Sequence, residues 1–328
     1  MRIGYNTWGA ATVPYSQFIP ALAEIGFGAI AISVVPSYSI GGRVVDNAAA
    51  LDRLQSDDRR RIRQAFQERD LKLPSVIGNQ SLVEDDPEIA ERALSRLRAS
   101  IDLCLDLVFE GEVPTLNTGT GGQKGDLEVP ARRQMILDRL GSLVEYAARR
   151  GVVVCIEPHV NAPVDSVERA EWLVRTINSP WLQLDFDISH FEVVGVPMDA
   201  VVPRLAPLAR AAEIKDQHFR YIDSESAAAS DWGVQGNGRG QALAPDGREV
   251  EFQFLLAGEG TFDLPRYLRL MRAQGHAGPI AFEASVQCQA RPDYDALVSA
   301  ADTYRWMSAG WKRAGIPIDS PAKTGGRR

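Results

Sequence analysis

The sequence predicts an α/β protein, a single (β/α)8 TIM barrel carrying one long insertion after its seventh strand. Three observations predict it. Short apolar runs alternate with longer segments of helical periodicity along almost the whole chain, and eight of each can be placed. The stretch after the first strand reads NTWGAATVP, without the glycine-rich fingerprint that an open dinucleotide-binding sheet would carry there. The 328 residues also suit one barrel, for which roughly 250 residues or more is ordinary.

Strands are expected at 2–6, 29–33, 72–77, 114–118, 152–157, 182–187, 211–215 and 280–283, with helices at 16–25, 58–69, 86–107, 129–150, 166–177, 198–208, 263–274 and 294–313. The fourth helix shows the logic. Met135, Ile136, Leu140, Leu143, Val144 and Ala147 recur at helical spacing, Gly151 stops the helix, and VVVCIE then reads as a buried strand. Ile25-Gly26 and Gln274-Gly275 repeat the junction. Residues 217–256, rich in Ser, Gly and Asp, break the rhythm. In a barrel this insertion emerges on the catalytic face, as a functional segment or a solvated one. The barrel is expected to fill residues 1–316, and 317–328 to form a disordered tail.

Composition narrows the function. A net charge of -7 runs against non-specific nucleic-acid binding, which needs clustered Lys and Arg. Cys104, Cys155 and Cys288 form no CxxC pair, as expected of free thiols in a reducing compartment. MRIGYNTWGA carries no signal-peptide pattern, and no apolar run approaches the roughly 20 residues of a membrane span. The expectation is a cytoplasmic protein.

The chemistry gathers where strands five to eight end: Glu157 with His159, Asp187 with His190, Glu213 with Lys215, and Glu283. A barrel brings these ends to one mouth. Several carboxylates at the edge of a core need a compensating cation, and an oxygen-rich set suits Mn²⁺ or Mg²⁺. Any one strand-end acid is as readily a helix cap or salt-bridge partner; four in succession are not. His218, at the start of the insertion, reads as a ligand or as a surface residue, and His276 as structural. Only five of the 36 basic residues are Lys, which draws attention to Lys215 on the same side of its strand as Glu213. It either holds a substrate oxygen or neutralises that Glu.

The motifs IEPH, D-x-S-H in FDISHF, EIKDQ, GEG at 258–260 and FEAS, in this order and spacing, resemble the xylose-isomerase-like barrel superfamily of sugar phosphate isomerases and epimerases. That group also includes inosose dehydratase-type enzymes and endonuclease IV. The resemblance runs from YNTW to the last helix. DISHF, KDQ, the run FLLAGEGTFD and RPDYD (291–295) look most like the α subunit of bacterial C-glycoside deglycosidases.

The resemblance implies a metal site formed by Glu157, Asp187, Glu283 and a histidine after strand seven. In that histidine's place, within a pattern that ordinarily reads H-x-K-D, stands Glu213. Either Glu213 joins the site, which favours Mn²⁺ or Mg²⁺, or His218 replaces it, or metal binding is lost. The implied chemistry is proton removal beside a carbonyl, with Glu157 and Glu283 as catalytic carboxylates, His159 as the base, and His190 and Lys215 orienting substrate. A 3-keto C-glycoside would then expel its aglycone by elimination. The alternatives are a keto-sugar isomerase or 3-epimerase and a non-catalytic barrel binding a sugar or partner. An endonuclease IV activity is set aside, because its trinuclear site needs more histidines than the four present. A small β subunit and a homo- or hetero-oligomer are further implications.

Overall fold

The computed structural model describes residues 1–40, 43–109, 111–222, 233–234 and 238–319. In chain order the elements begin with β1 (Ile3–Asn6), α1 (Tyr15–Ile25), β2 (Ala29–Ser33), β3 (Tyr38–Ile40), β4 (Arg43–Val45), α2 (Ser56–Glu68), β5 (Val76–Ile77), α3 (Pro87–Leu107), β6 (Thr115–Thr118) and α4 (Pro130–Ala148). They continue with β7 (Val153–Ile156), α5 (Val167–Ile177), β8 (Leu182–Asp187), α6 (Ser189–Glu192), α7 (Met198–Leu205) and β9 (Ala209–Ile214). The last are β10 (Asp216–Tyr221), β11 (Gly240–Leu243), β12 (Glu249–Leu255), α8 (Leu264–Ala273), β13 (Ile280–Phe282), α9 (Val286–Gln289) and α10 (Ala296–Ala314).

Eight parallel strands close in the order β1-β13-β9-β8-β7-β6-β5-β2. The outward residues of each strand, among them Ile30, Ile32, Val154, Ile156, Leu184, Phe186, Ile280 and Phe282, join the helices in one apolar core. Alternate positions turn inward, as the two-residue strand period requires, and there the chain places small or polar residues such as Ala29, Ala31, Ser33, Cys155 and Ala211. Helices start on side-chain caps: Asp86, Ser166, Asp263 and Asp295 each accept first-turn N–H bonds. All three cysteines are buried and unpaired. No helix among the described residues is long and apolar enough to cross a membrane.

The insertion, to which the sequence reading gave no elements, contains strands. β10 pairs antiparallel with β12, and β11 with β12, making a three-stranded sheet at the barrel mouth. Val250, Phe252 and Phe254 alternate on one face of β12 and pack with Val160, Val193 and Val194. The parts of the insertion at 223–232 and 235–237 lie outside the described residues. Of the expected tail, Asp319 is instead tied back: its carboxylate bonds the Met1 amino group at 2.5 Å; residues 320–328 lie outside the described residues.

Asp216 anchors this face. Its carboxylate accepts backbone N–H bonds from Gly258 and Gly260 at 2.8 and 2.9 Å and from Phe262 at 3.2 Å. The GEG segment thus clamps onto the end of β9. A Cβ on Gly260 would stand 2.3 Å from Asp216 Oδ1 and 2.5 Å from the Gln217 carbonyl oxygen. Gly260→Ala is therefore expected to lower stability by about 1–3 kcal/mol, the range for overpacking a tight contact. A melting temperature unchanged from wild type would contradict this reading of the clamp.

Candidate active site

Every residue of the expected site lies at the C-terminal end of the barrel. Glu157 follows β7, Asp187 ends β8, Glu213 lies near the end of β9 with Lys215 just beyond, and Glu283 follows β13. The burial is deep: Asp187 is 0%, Glu213 2% and Lys215 3% exposed. The D-x-S-H motif has a local cause. Ser189 donates its backbone N–H to Asp187 Oδ1 at 2.9 Å, fixing a turn that starts α6 and aims His190 inward.

Lys215 is the hub. Its ammonium pairs with Asp187, lies 3.3 Å from Glu283 Oε1 and 3.6 Å from Glu157 Oε1, and stands 3.2 Å from His190 Nε2. Of the two roles open to it in the sequence, neutralising Glu213 is not the one observed; its ion pairs are with Asp187, Glu283 and Glu157. His190 Nε2 is also 3.2 Å from Glu157 Oε1, which places this histidine inside the charged cluster. The Phe254 ring of β12 covers the group, 5.5 Å from the ammonium and edge-on to His190 at 5.2 Å.

Among the described residues two sets of ligand-bearing groups each lie within 4.8 Å of one another: Glu157, Asp187 and His190, and Glu157, Glu213 and Glu283. His218 belongs to neither; it lies on β10 opposite Gln253. The electrostatics show carboxyl groups crowded around a single ammonium. Burial raises Glu157 and Asp187, but Lys215 and then His190 outweigh it and hold both carboxyls below their ordinary range. Burial lowers Lys215, yet Asp187, Glu283 and Glu157 lift it well above. Burial, followed by neighbouring carboxylates, pushes Asp185 and Glu213 far up, and burial leads the rise at Glu283. Among the described residues Lys215 is the one buried Lys or Arg. One ammonium against Glu157, Asp185, Asp187, Glu213 and Glu283 leaves room for a further cation, and an all-carboxylate set such as Glu157, Glu213 and Glu283 suits a hard divalent ion.

His159 sits on the rim with its side chain exposed. Its ring lies 3.8 Å from that of His190, centroid to centroid, and Nδ1 is 2.8 Å from the Val160 carbonyl. A carbonyl only accepts, so Nδ1 carries the proton and Nε2 keeps the lone pair. Crowding by protein atoms, then the charges of His190 and Lys215, hold His159 below the usual histidine range.

Two participants were not singled out in the sequence. Asn6, at the end of β1, donates its amide to both oxygens of Glu213 at 3.1 and 2.9 Å and to Glu283 at 2.9 Å, while its oxygen accepts from Trp8 N–H. Its place at a strand end, before a helical turn, was the available signal. Asp185 lies two residues before Asp187 and hence on the same inward side; neither of its oxygens has a hydrogen-bond partner. Trp8 stacks on Tyr38 from the β3–β4 hairpin, 4.8 Å between centroids and 8° from parallel.

A family profile described as a Xylose isomerase-like TIM barrel matches residues 19–308. No curated protein matches the chain. Among solved structures, the 3-keto-D-glucoside 4-epimerase YcjR from E. coli superposes with a TM-score of 0.64 at 15% identity, covering 94% of this chain and 99% of that one. A xylose isomerase-like TIM barrel protein from Mycobacterium smegmatis, solved in complex with magnesium, gives 0.62 at 16%, covering 95% and 97%. The probable 3-DHS dehydratase AsbF from Bacillus anthracis gives 0.66 at 13%, covering 94% and 99%. At these identities the likenesses establish the fold.

Proposed function

Because this chain belongs to the xylose isomerase-like TIM barrel family, we propose that it is an enzyme that removes a proton from the carbon beside the ketone of a keto-sugar, and that its substrate is a 3-keto glycoside, in the finer reading a 3-keto C-glycoside that then loses its aglycone. The observation that carries this is the meeting, at one barrel mouth, of Glu157, Asp187, Glu213 and Glu283 with one buried ammonium and a histidine at the rim.

In this reading His159 takes the proton on Nε2, which its bond to Val160 leaves free. Lys215 brings a hydrogen-bond donor to the oxygen on which charge develops, with His190 orienting the substrate beside it, beneath the ring of Phe254. Glu157 and Glu283 flank the reacting carbon. Glu157, Asp187, Glu213 and Glu283 would hold a divalent metal, Mn²⁺ before Mg²⁺, which when bound supplies Lewis-acid polarisation of the ketone. Asn6 keeps Glu213 and Glu283 in register.

Epimerisation is the second reading, favoured by the likeness to a 3-keto-D-glucoside 4-epimerase. Both outcomes share the first step. Incubation with Mn²⁺ in D₂O and a panel of 3-keto glycosides and ketoses separates them: aglycone release marks elimination, and an inverted, deuterated carbon marks epimerisation. No exchange and no release with any member of the panel would sink both readings.

Metal binding has its own signature. Because Glu213 and Asp185 are held far above the ordinary carboxyl range, a divalent cation entering near neutral pH should displace protons. Titrating Mn²⁺ by calorimetry in buffers of differing ionisation enthalpy is expected to show proton release; heats independent of the buffer would remove this support.

A further inference from the structure

We infer that the substrate carries a second hydroxyl-rich unit, a glycosyl or polyol group, seated beside the reacting ring in a lobe formed by the loops after β5, β6 and β7. The inference rests on the enolising reading for the reacting end only. The cleft at the barrel mouth has two lobes. One, of about 420 Å³, lies over the charged cluster, walled by Trp8, Phe252, Phe254 and Val286. The other, of about 500 Å³, is lined by Asn79, Gln80, Ser81, the glycine-rich turn at 119–122 and Asn161. They share Asn79, Glu157, His159, Val160 and Asn161, so they are one continuous cleft with His159 at the junction. Each lobe alone lies within the roughly 300–1,000 Å³ that holds a whole small ligand.

The chemistry of the second lobe selects its occupant. Among the described residues no Lys or Arg lines it, so it offers no cationic partner for a phosphate or carboxylate, and no Phe, Tyr or Trp lines it; its one ring is the His159 imidazole at the junction, so the body of the lobe offers no platform for a flat aryl group. Its polar ends are held in place. Asn79 Oδ1 accepts from Gly119 N–H at 2.8 Å, leaving its amide N–H groups to donate. Asn161 Nδ2 donates to the Gln241 carbonyl at 2.8 Å, leaving its oxygen to accept. Gln80 Nε2 donates to the Asn79 carbonyl at 2.6 Å, again leaving an oxygen. Oriented amides of both polarities match hydroxyl groups, which both donate and accept. The turn is close-fitting: a Cβ on Gly121, whose φ is +62°, would stand 2.6 Å from Ser81 Cα. Asn161 itself takes a left-handed backbone, φ +64°, uncommon outside glycine.

The test compares three 3-keto glucosides that share the reacting ring and differ in the attached group: methyl, phenyl and a second glucose. The glucosyl substrate is expected to exceed the other two by about tenfold in kcat/KM, the worth of one or two well-made hydrogen bonds. Gln80→Ala and Gln80→Leu, both confined to the second lobe, should erase that advantage and leave the methyl compound unchanged. A preference for the phenyl glycoside, or equal losses on all three, would overturn the inference. If none is turned over, calorimetric binding of cellobiose, methyl glucoside and phenyl glucoside separates the two ideas. Tighter cellobiose binding that the variants abolish sustains the lobe while the enolising reading falls; absence of such a preference ends the lobe as well.

Discussion

His159→Ala is expected to lower kcat by about 10²–10⁴-fold on any substrate that wild type enolises, the usual worth of a general base. The fold should survive, because the side chain lies exposed on the rim and its one ring hydrogen bond is to its neighbour's carbonyl. A matching circular dichroism spectrum and melting temperature would establish that. The pH profile adds a second readout. The base works unprotonated, and crowding with the charges of His190 and Lys215 keeps its pKa down. Activity therefore holds as pH falls past about 6.5, the ordinary histidine value, and fails only at lower pH. Full turnover by the alanine variant would transfer the base role to another group, Glu157 or Glu283.

Lys215→Met should be the most destabilising single change at the mouth, costing about 3–5 kcal/mol at neutral pH because it strands buried carboxylates without their cation. Urea unfolding would show this as a lower midpoint at unchanged slope. The sign of the pH dependence follows from linkage. In wild type the ammonium holds Asp187 and Glu157 below their ordinary range. Without it, burial leaves them above that range, so the folded state binds more protons than the unfolded one and gains stability as pH falls. The deficit relative to wild type should shrink between neutral pH and about pH 4, the unperturbed carboxyl region. A deficit constant across that range would mean that lost packing, not stranded charge, is responsible.

The barrel was legible because its signals are local and repeated. VVVCIE after Gly151 and LQLDFD before the D-x-S-H turn are strands in the sequence and in the structure, the latter with identical bounds. The strands within the insertion were not read from the sequence, because Ser, Gly and Asp dominate its composition. Yet EVEFQFL alternates with a strand's period, and APDG before it is a turn signal; Gly247 there has φ +86°. Single side chains were legible only in part. Glu157, Asp187, Glu213 and Glu283 announced themselves as acids at strand ends, where charge is costly. Asn6 did not, because an uncharged amide has no such cost, and its role appears only when β1 closes against β13. Lys215 was noticed for its rarity, but its choice of Asp187 over Glu213 depends on how far the side chain reaches across the barrel.

That closure has a bearing on how the protein is made. β1 pairs with β13, and the Asn6 amide bonds Glu283, 277 residues away. During synthesis the first strand leaves the ribosome long before its partner exists, and contacts of such sequence separation form slowly. The nascent chain therefore holds an open sheet with two unpaired edges until β13 appears. Ring closure and completion of the acidic mouth are then one event, so a chain that stalls short of β13 both lacks Glu283 and is exposed to edge-to-edge association.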